Sequence, residues 1–304
     1  MPKRIEIKRE ERKYQNRGVE IDLPAAYDEL EEASIGAVQD ALSPYPKAWQ
    51  MYEILVADPE VRANWDMAEY IAVTKLHFND HGEVHAKVAA ASAITMLKLL
   101  AEAGVQPDVV ASGAGDLDDA FLVVLTGALL HDLGNQIHRE EHAHWSAYLA
   151  LPILDRLMPQ IYGDPEQRTG LRGFILHAIH CHGLEPVPLT IEAGVVAVAD
   201  GSDMTKGRGR MAFDLGNINI HSVSALSIDR VMIAKGEEVP VEIIVSMSNS
   251  AGIFQVQETL TEKILHSPLA GYVTVRATTQ PEDSPVDARI VYSISLKGRH
   301  FITT

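Results

Sequence analysis

The chain has 304 residues, 46% of them hydrophobic and 22% charged, which suits a folded core and excludes a disordered or fibrous chain. Its 42 acidic and 26 basic side chains give a formal charge of −16, which argues against an extended nucleic-acid surface, because backbone binding needs clustered Lys and Arg. A single cysteine, Cys181, allows no intramolecular disulfide and fits a reducing compartment. The charged opening MPKRIEIKREERKYQNRG has no apolar h-region, and the longest apolar run, residues 120–130, is too short for a bilayer. A cytoplasmic protein without a membrane partner is expected.

Residues 1–18 read as a polar arm that leads, up to residue 45, into a first helix. Helical patterns run over 25–76, with breaks at Ser43-Pro44-Tyr45-Pro46 and at Asp58-Pro59, where proline ends or starts a helix. Over 81–100 the apolar positions Val84, Val88, Ala91, Ile94, Leu97 and Leu100 recur at three- and four-residue spacing, which predicts a helix with one buried face. A Gly- and Asp-rich loop over 111–119 precedes an almost wholly apolar helix that stops at His131-Asp132-Leu133-Gly134. Gly134 there suits a helix C-cap. Further helices are expected over 142–158, 168–180 and 192–203.

Then the pattern changes. Strands are expected over 227–234 and 239–247, with Val241, Ile243, Val245 and Met247 at period two. A helix through Ile253, Val256, Leu260 and Ile264 follows, then strands over 272–278 and 289–296. The fold class expected is a mostly α bundle with a small C-terminal α+β module of order ββαββ. The division reads as 1–45 lead-in, 46–215 catalytic bundle and 216–304 accessory module for dimerisation or sensing.

Thirteen histidines are present, and most cluster between residues 77 and 182. His81 and His85 stand four apart, on one face of a helix. His131 and Asp132 are adjacent at a helix end. His138, His142 and His144 lie in HREEHAHWS, His177, His180 and His182 in HAIHCHG, and Asp200 and Asp203 in VADGSDM. Imidazole with carboxylate is the ligand set of a borderline divalent ion. Asp132 follows eleven largely apolar residues, where an unpaired carboxylate is expensive to bury; a metal or a buried salt bridge resolves that. Lys206, Arg208 and Arg210 form a compact basic cluster in KGRGR, readable as a phosphate clamp or as a solvated connector.

DHGEVHAKVAAASA, LLHDLGN and VAVADGSDMTKGR together resemble the H…HD…D signature of the HD-domain phosphohydrolases, over roughly residues 75–210. The resemblance implies His85, His131, Asp132 and Asp200 as metal ligands. It sets His81 where cyclic-nucleotide phosphodiesterases of the superfamily protonate the leaving oxygen; a hydrogen bond to a ligand is the other reading. Binuclear members, including the HD-GYP branch, add histidines, which implies His144 and His182 for a second ion, with His177 and His180 as competitors for the latter. Asn135 replaces the lysine common after HDxG and there is no GYP tripeptide, which argues against cyclic-dinucleotide hydrolysis.

These residues imply a phosphohydrolase with one or two divalent ions (Fe, Mn, Zn, Ni or Mg) acting on a small phosphorylated metabolite or nucleotide. The reacting groups expected are His81, Asp132, Lys206 and Arg208. A di-iron oxygenase of the same fold and a non-catalytic nucleotide-binding regulator are the other readings. A homodimer through the C-terminal module is expected.

Overall fold

The computed structural model describes residues 26–206, 208, 224–279, 293–297 and 300–303. The polar arm over 1–18, Arg210 and the expected boundary between residues 215 and 216 lie outside them.

Proline and aspartate punctuate the helices as the sequence predicts. Helix α1 (Ala26–Leu42) gives way to α2 (Pro46–Ala57), which starts on Pro46. Asp58 accepts from the amides of Glu60 and Val61 and caps α3 (Pro59–Glu69), whose last turn widens into a π-helical segment, Tyr70–Lys75. Helix α4 (Glu83–Glu102) begins after Gly82, so His81 precedes it rather than sharing its face with His85. Asp80 sets that start: its carboxylate accepts from the Gly82 and His85 amides.

A short α5 (Asp108–Ala111) precedes α6 (Leu117–Leu130), which opens with a reciprocal capping box between Asp116 and Asp119. All of α6 from Asp119 to Leu130 is buried. Helices α7 (His142–Leu157), α8 (Pro165–Cys181) and α9 (Ile191–Ser202) complete the bundle. By length and hydropathy α4 is apolar enough to cross a membrane, yet 67% of that window is buried inside the fold.

The C-terminal module follows the expected order with one more strand. β1 (Ile228–Lys235) pairs antiparallel with β2 (Val241–Met247), and β2 pairs parallel with β3 (Val273–Thr279). A helical stretch, α10 (residues 253–265, with a π-helical Val256–Thr261), makes the crossover that a parallel pair requires. β4 (Ser293–Lys297) and β5 (His300–Thr303) add antiparallel strands, giving a five-stranded sheet in sequence order. Val241, Ile243, Val245 and Met247 all point inward, as their alternation predicts. One continuous apolar cluster runs from Val38 on α1 through α4, α6 and α9 to Val275 on β3. The module is thus packed on the bundle, and α10 lies against α9.

Candidate metal centre

Five helix ends or first turns converge on one buried point. His85 sits in the first turn of α4, and His131 and Asp132 follow the last residue of α6. His142 opens α7, His182 follows α8, and Asp200 lies in the last turn of α9.

His131 and His182 are held by the same local device. Each occupies a helix C-cap and donates Nδ1–H to the carbonyl three residues back, Ala128 and Ile179 respectively, both at 2.7 Å. Those carbonyls belong to the last turn, which lacks helical partners. His142 does likewise toward the Arg139 carbonyl at 3.0 Å, and His85 donates Nδ1–H to Asp203 at 2.7 Å. With Nδ1 committed, all four rings turn Nε2 toward the centre, as metal-binding imidazoles do.

The donor atoms fall into two groups. His85 Nε2 lies 3.1 Å from His131 Nε2, 3.3 Å from Asp132 Oδ2 and 3.2 Å from Asp200 Oδ1. His131 Nε2 lies 3.4 and 3.6 Å from the same two oxygens. In the second group His142 Nε2 lies 3.0 Å from His182 Nε2, and the two stand 3.4 and 3.6 Å from Asp132 Oδ1. Ligands about 2.0–2.2 Å from one ion are separated by roughly 2.8–3.6 Å in tetrahedral or octahedral arrangements. Both groups have that spacing. Asp132 belongs to both, one oxygen to each, so the donor set fits two ions sharing a carboxylate.

The charges agree. Burial alone would raise the Asp132 and Asp200 carboxyls; His131 and His81 around the first, and Lys263, His131 and His85 around the second, hold both well below the usual range. Burial and the neighbouring His182 push His142 far down, and burial lowers His182, so both imidazoles are neutral and able to ligate. The buried carboxylate of Asp203 adds negative charge. The C-terminal ends of α6 and α8 add partial negative charge, which favours a cation.

The remaining expected residues divide. His81 does reach the centre, its Nδ1 at 2.7 Å from Asp132 Oδ2. Burial lowers it to about 3, so the ring is neutral and Nδ1–H donates to the carboxylate. His144 is not in either group: it packs edge-on against Trp145 and His180, and His142 stands where His144 was expected. Residues two apart on a helix face nearly opposite ways, so α7 can present only one of the two. His177 accepts from the Leu189 amide and contacts Cys181, and neither it nor His180 joins the groups. Cys181 is a buried core residue, not a donor.

Of the basic cluster, Lys206 and Arg208 are among the described residues. Lys206 is exposed and pairs with Asp229 on β1 at 2.7 Å; Arg208 is buried, donating to the carbonyls of Asp80 and Asp203, with a guanidinium nitrogen 3.1 Å from His81 Nδ1. Two cations that the sequence did not single out also stand at the centre. Arg139 reaches Asn135 Oδ1 at 3.1 Å and lies 4.0 Å from Asp132, with its side chain 36% exposed. Lys263, on α10, pairs with Asp200.

The expected C-cap role of Gly134 also changes. A Cβ there would lie 2.0 Å from the His142 carbonyl oxygen, so glycine is required for the first turn of α7 to pack on the turn after His131-Asp132.

The family model described as "HD domain" matches residues 93–205. That span holds His131, Asp132, His142, His182 and Asp200 and begins after His85, which joins the centre by geometry. The chain is similar to "Uncharacterized protein MJ1020" of Methanocaldococcus jannaschii, with 44% identity over 243 residues, 80% of this chain and 93% of that protein. No solved structure matches.

Proposed function

This chain belongs to the HD-domain family, and on that premise we propose that it hydrolyses phosphate esters of a small metabolite or nucleotide at a binuclear metal centre. The observation that carries the reading is Asp132, whose two oxygens each face a separate set of imidazole nitrogens. His85, His131, Asp132 and Asp200 would hold one ion, and Asp132, His142 and His182 the other. Divalent ions there supply Lewis acidity toward phosphoryl oxygens and a lowered pKa for a bound water.

The chain's own groups do the positioning. His81 donates to Asp132 Oδ2 and fixes the plane of that shared carboxylate, which favours its hydrogen-bonding role over proton delivery. Arg139, at the rim and partly exposed, has guanidinium donors suited to a phosphate group. Lys206 is paired with Asp229, and Arg208 is buried beside His81 and Asp203, where it supports the centre rather than facing solvent. The charge of −16 favours a small substrate over a long polyanion.

The test is phosphate release from p-nitrophenyl phosphate, its bis-ester and a panel of nucleotides by protein loaded with Mn²⁺, Fe²⁺, Zn²⁺, Ni²⁺ or Mg²⁺. Hydrolysis with at least one ion, abolished in Asp132→Ala, is expected. Oxygen uptake by iron-loaded protein without phosphate release would move the assignment to an oxygenase. Metal and nucleotide binding without turnover would move it to a regulatory protein.

A further inference from the structure

The C-terminal module reaches the metal centre through one side chain. Lys263, near the end of α10, is mostly buried; its ammonium pairs with Asp200 Oδ2 and donates to the backbone carbonyl of His182 at 2.9 Å. Asp200 Oδ1 is the oxygen that faces His85 and His131. One oxygen of Asp200 is therefore aimed at the first donor group and the other is tied to the module. The same ammonium holds the backbone of a residue in the second group.

The bundle is shaped to admit this lysine. A Cβ on Gly201, adjacent to Asp200, would come within 2.9 Å of Lys263 Cδ, so the lysine stem in this position lies close over the bare backbone of residue 201. Seven residues earlier on α9, a Cβ on Gly194 would meet Leu269 at 3.1 Å, just after α10. Residues seven apart lie on one helix face. That face of α9 is cut close for the module along its length.

We propose that Lys263 is a positioning residue of the metal centre: by occupying Asp200 Oδ2 it restricts Asp200 to a single donor oxygen, so the module takes part in setting the coordination. This rests on the metal-centre reading above. An ammonium has three donors and no acceptor, so it competes with a cation for a carboxylate oxygen without ligating the cation. Without it, Oδ2 is released to become an additional donor.

The test uses the full chain loaded with Co²⁺, whose visible absorption reports coordination geometry. Lys263→Met is expected to shift the band to shorter wavelength with loss of intensity, as donors are added, while Lys263→Arg keeps the wild-type band. Gly201→Ala, which presses on the flexible lysine stem while leaving its charge, is expected to shift the band in the same sense; should Lys263→Met not fold, this variant decides. Spectra of the folded variants that superimpose on the wild type overturn the inference and leave the metal centre standing. Failure of the wild-type chain to take up Co²⁺ overturns the centre itself, and the inference with it.

Discussion

The Nδ1–H of His85 donates to Oδ2 of Asp203 over 2.7 Å, and both side chains are fully buried. Asp203 is a member of neither donor group, yet it fixes which nitrogen of His85 faces the centre. The second oxygen of Asp203 is buried without a hydrogen-bond partner among the described residues, so His85, with the Arg208 guanidinium 3.7 Å from Oδ2, is what satisfies the carboxylate. Asp203→Asn keeps the shape and leaves the His85 tautomer undetermined. Metal affinity should fall by about 10–100-fold, as measured by competition with a chromogenic chelator.

His142 and His144 give a sharper contrast. His142→Ala removes a nitrogen 3.0 Å from His182 Nε2, and His144→Ala removes a ring that packs on Trp145. Elemental analysis of the purified variants should find one ion fewer per chain in His142→Ala and the wild-type content in His144→Ala. Equal loss in both would return His144 to the centre.

Metal uptake should release protons. Burial and the Arg208 charge push His85 down, but Asp132, Asp200 and Asp203 outweigh them and lift it to about 10. Burial also opposes protonation of His131, where Asp132 and Asp200 again prevail and raise it. The facing pair therefore holds a proton at neutral pH in the metal-free protein, and an ion must displace it. Affinity at the first group should weaken as pH falls, with about one proton released near pH 7 by the ion bound there and none from the neutral imidazoles of the second group. Calorimetric titration in two buffers of different ionisation enthalpy measures that number, and buffer-independent heats would contradict it. The same raised pKa stabilises the metal-free fold below the ordinary imidazole range, a contribution lost as pH rises through about 10.

Gly134→Ala tests how α7 is seated. The added Cβ would lie 2.0 Å from the His142 carbonyl oxygen and 2.6 Å from the Ser146 nitrogen, both backbone atoms that cannot yield independently. The first turn of α7 must move, taking His142 away from Asp132. A loss of about 3 kcal/mol in denaturant unfolding is expected, with lower metal content at the second group.

Much of this centre was legible because its strongest signals are local. Pro46 and Pro59 each open a helix and Asp58 caps one of them, so those boundaries could be read from residue type, whereas the helix expected from residue 168 starts at Pro165 behind its Asp164 cap. The HD pair at the end of an apolar helix was legible for the same reason. The choice of His142 over His144 was not, since it depends on the phase at which α7 starts. That start follows Glu141, held at φ 57° in the left-handed region. Likewise KGRGR reads as a clamp by composition, but Asp229 and the carbonyls of Asp80 and Asp203 engage Lys206 and Arg208 only once the chain is folded. Lys263 lies 63 residues from Asp200, beyond any local pattern.

The unbroken apolar cluster from α1 to β3 governs how the protein comes apart. Heat or denaturant cannot melt the sheet alone without exposing the face of α9 next to Asp200, so bundle and module should unfold together. A single transition is expected by calorimetry, and added metal should move the whole of it upward.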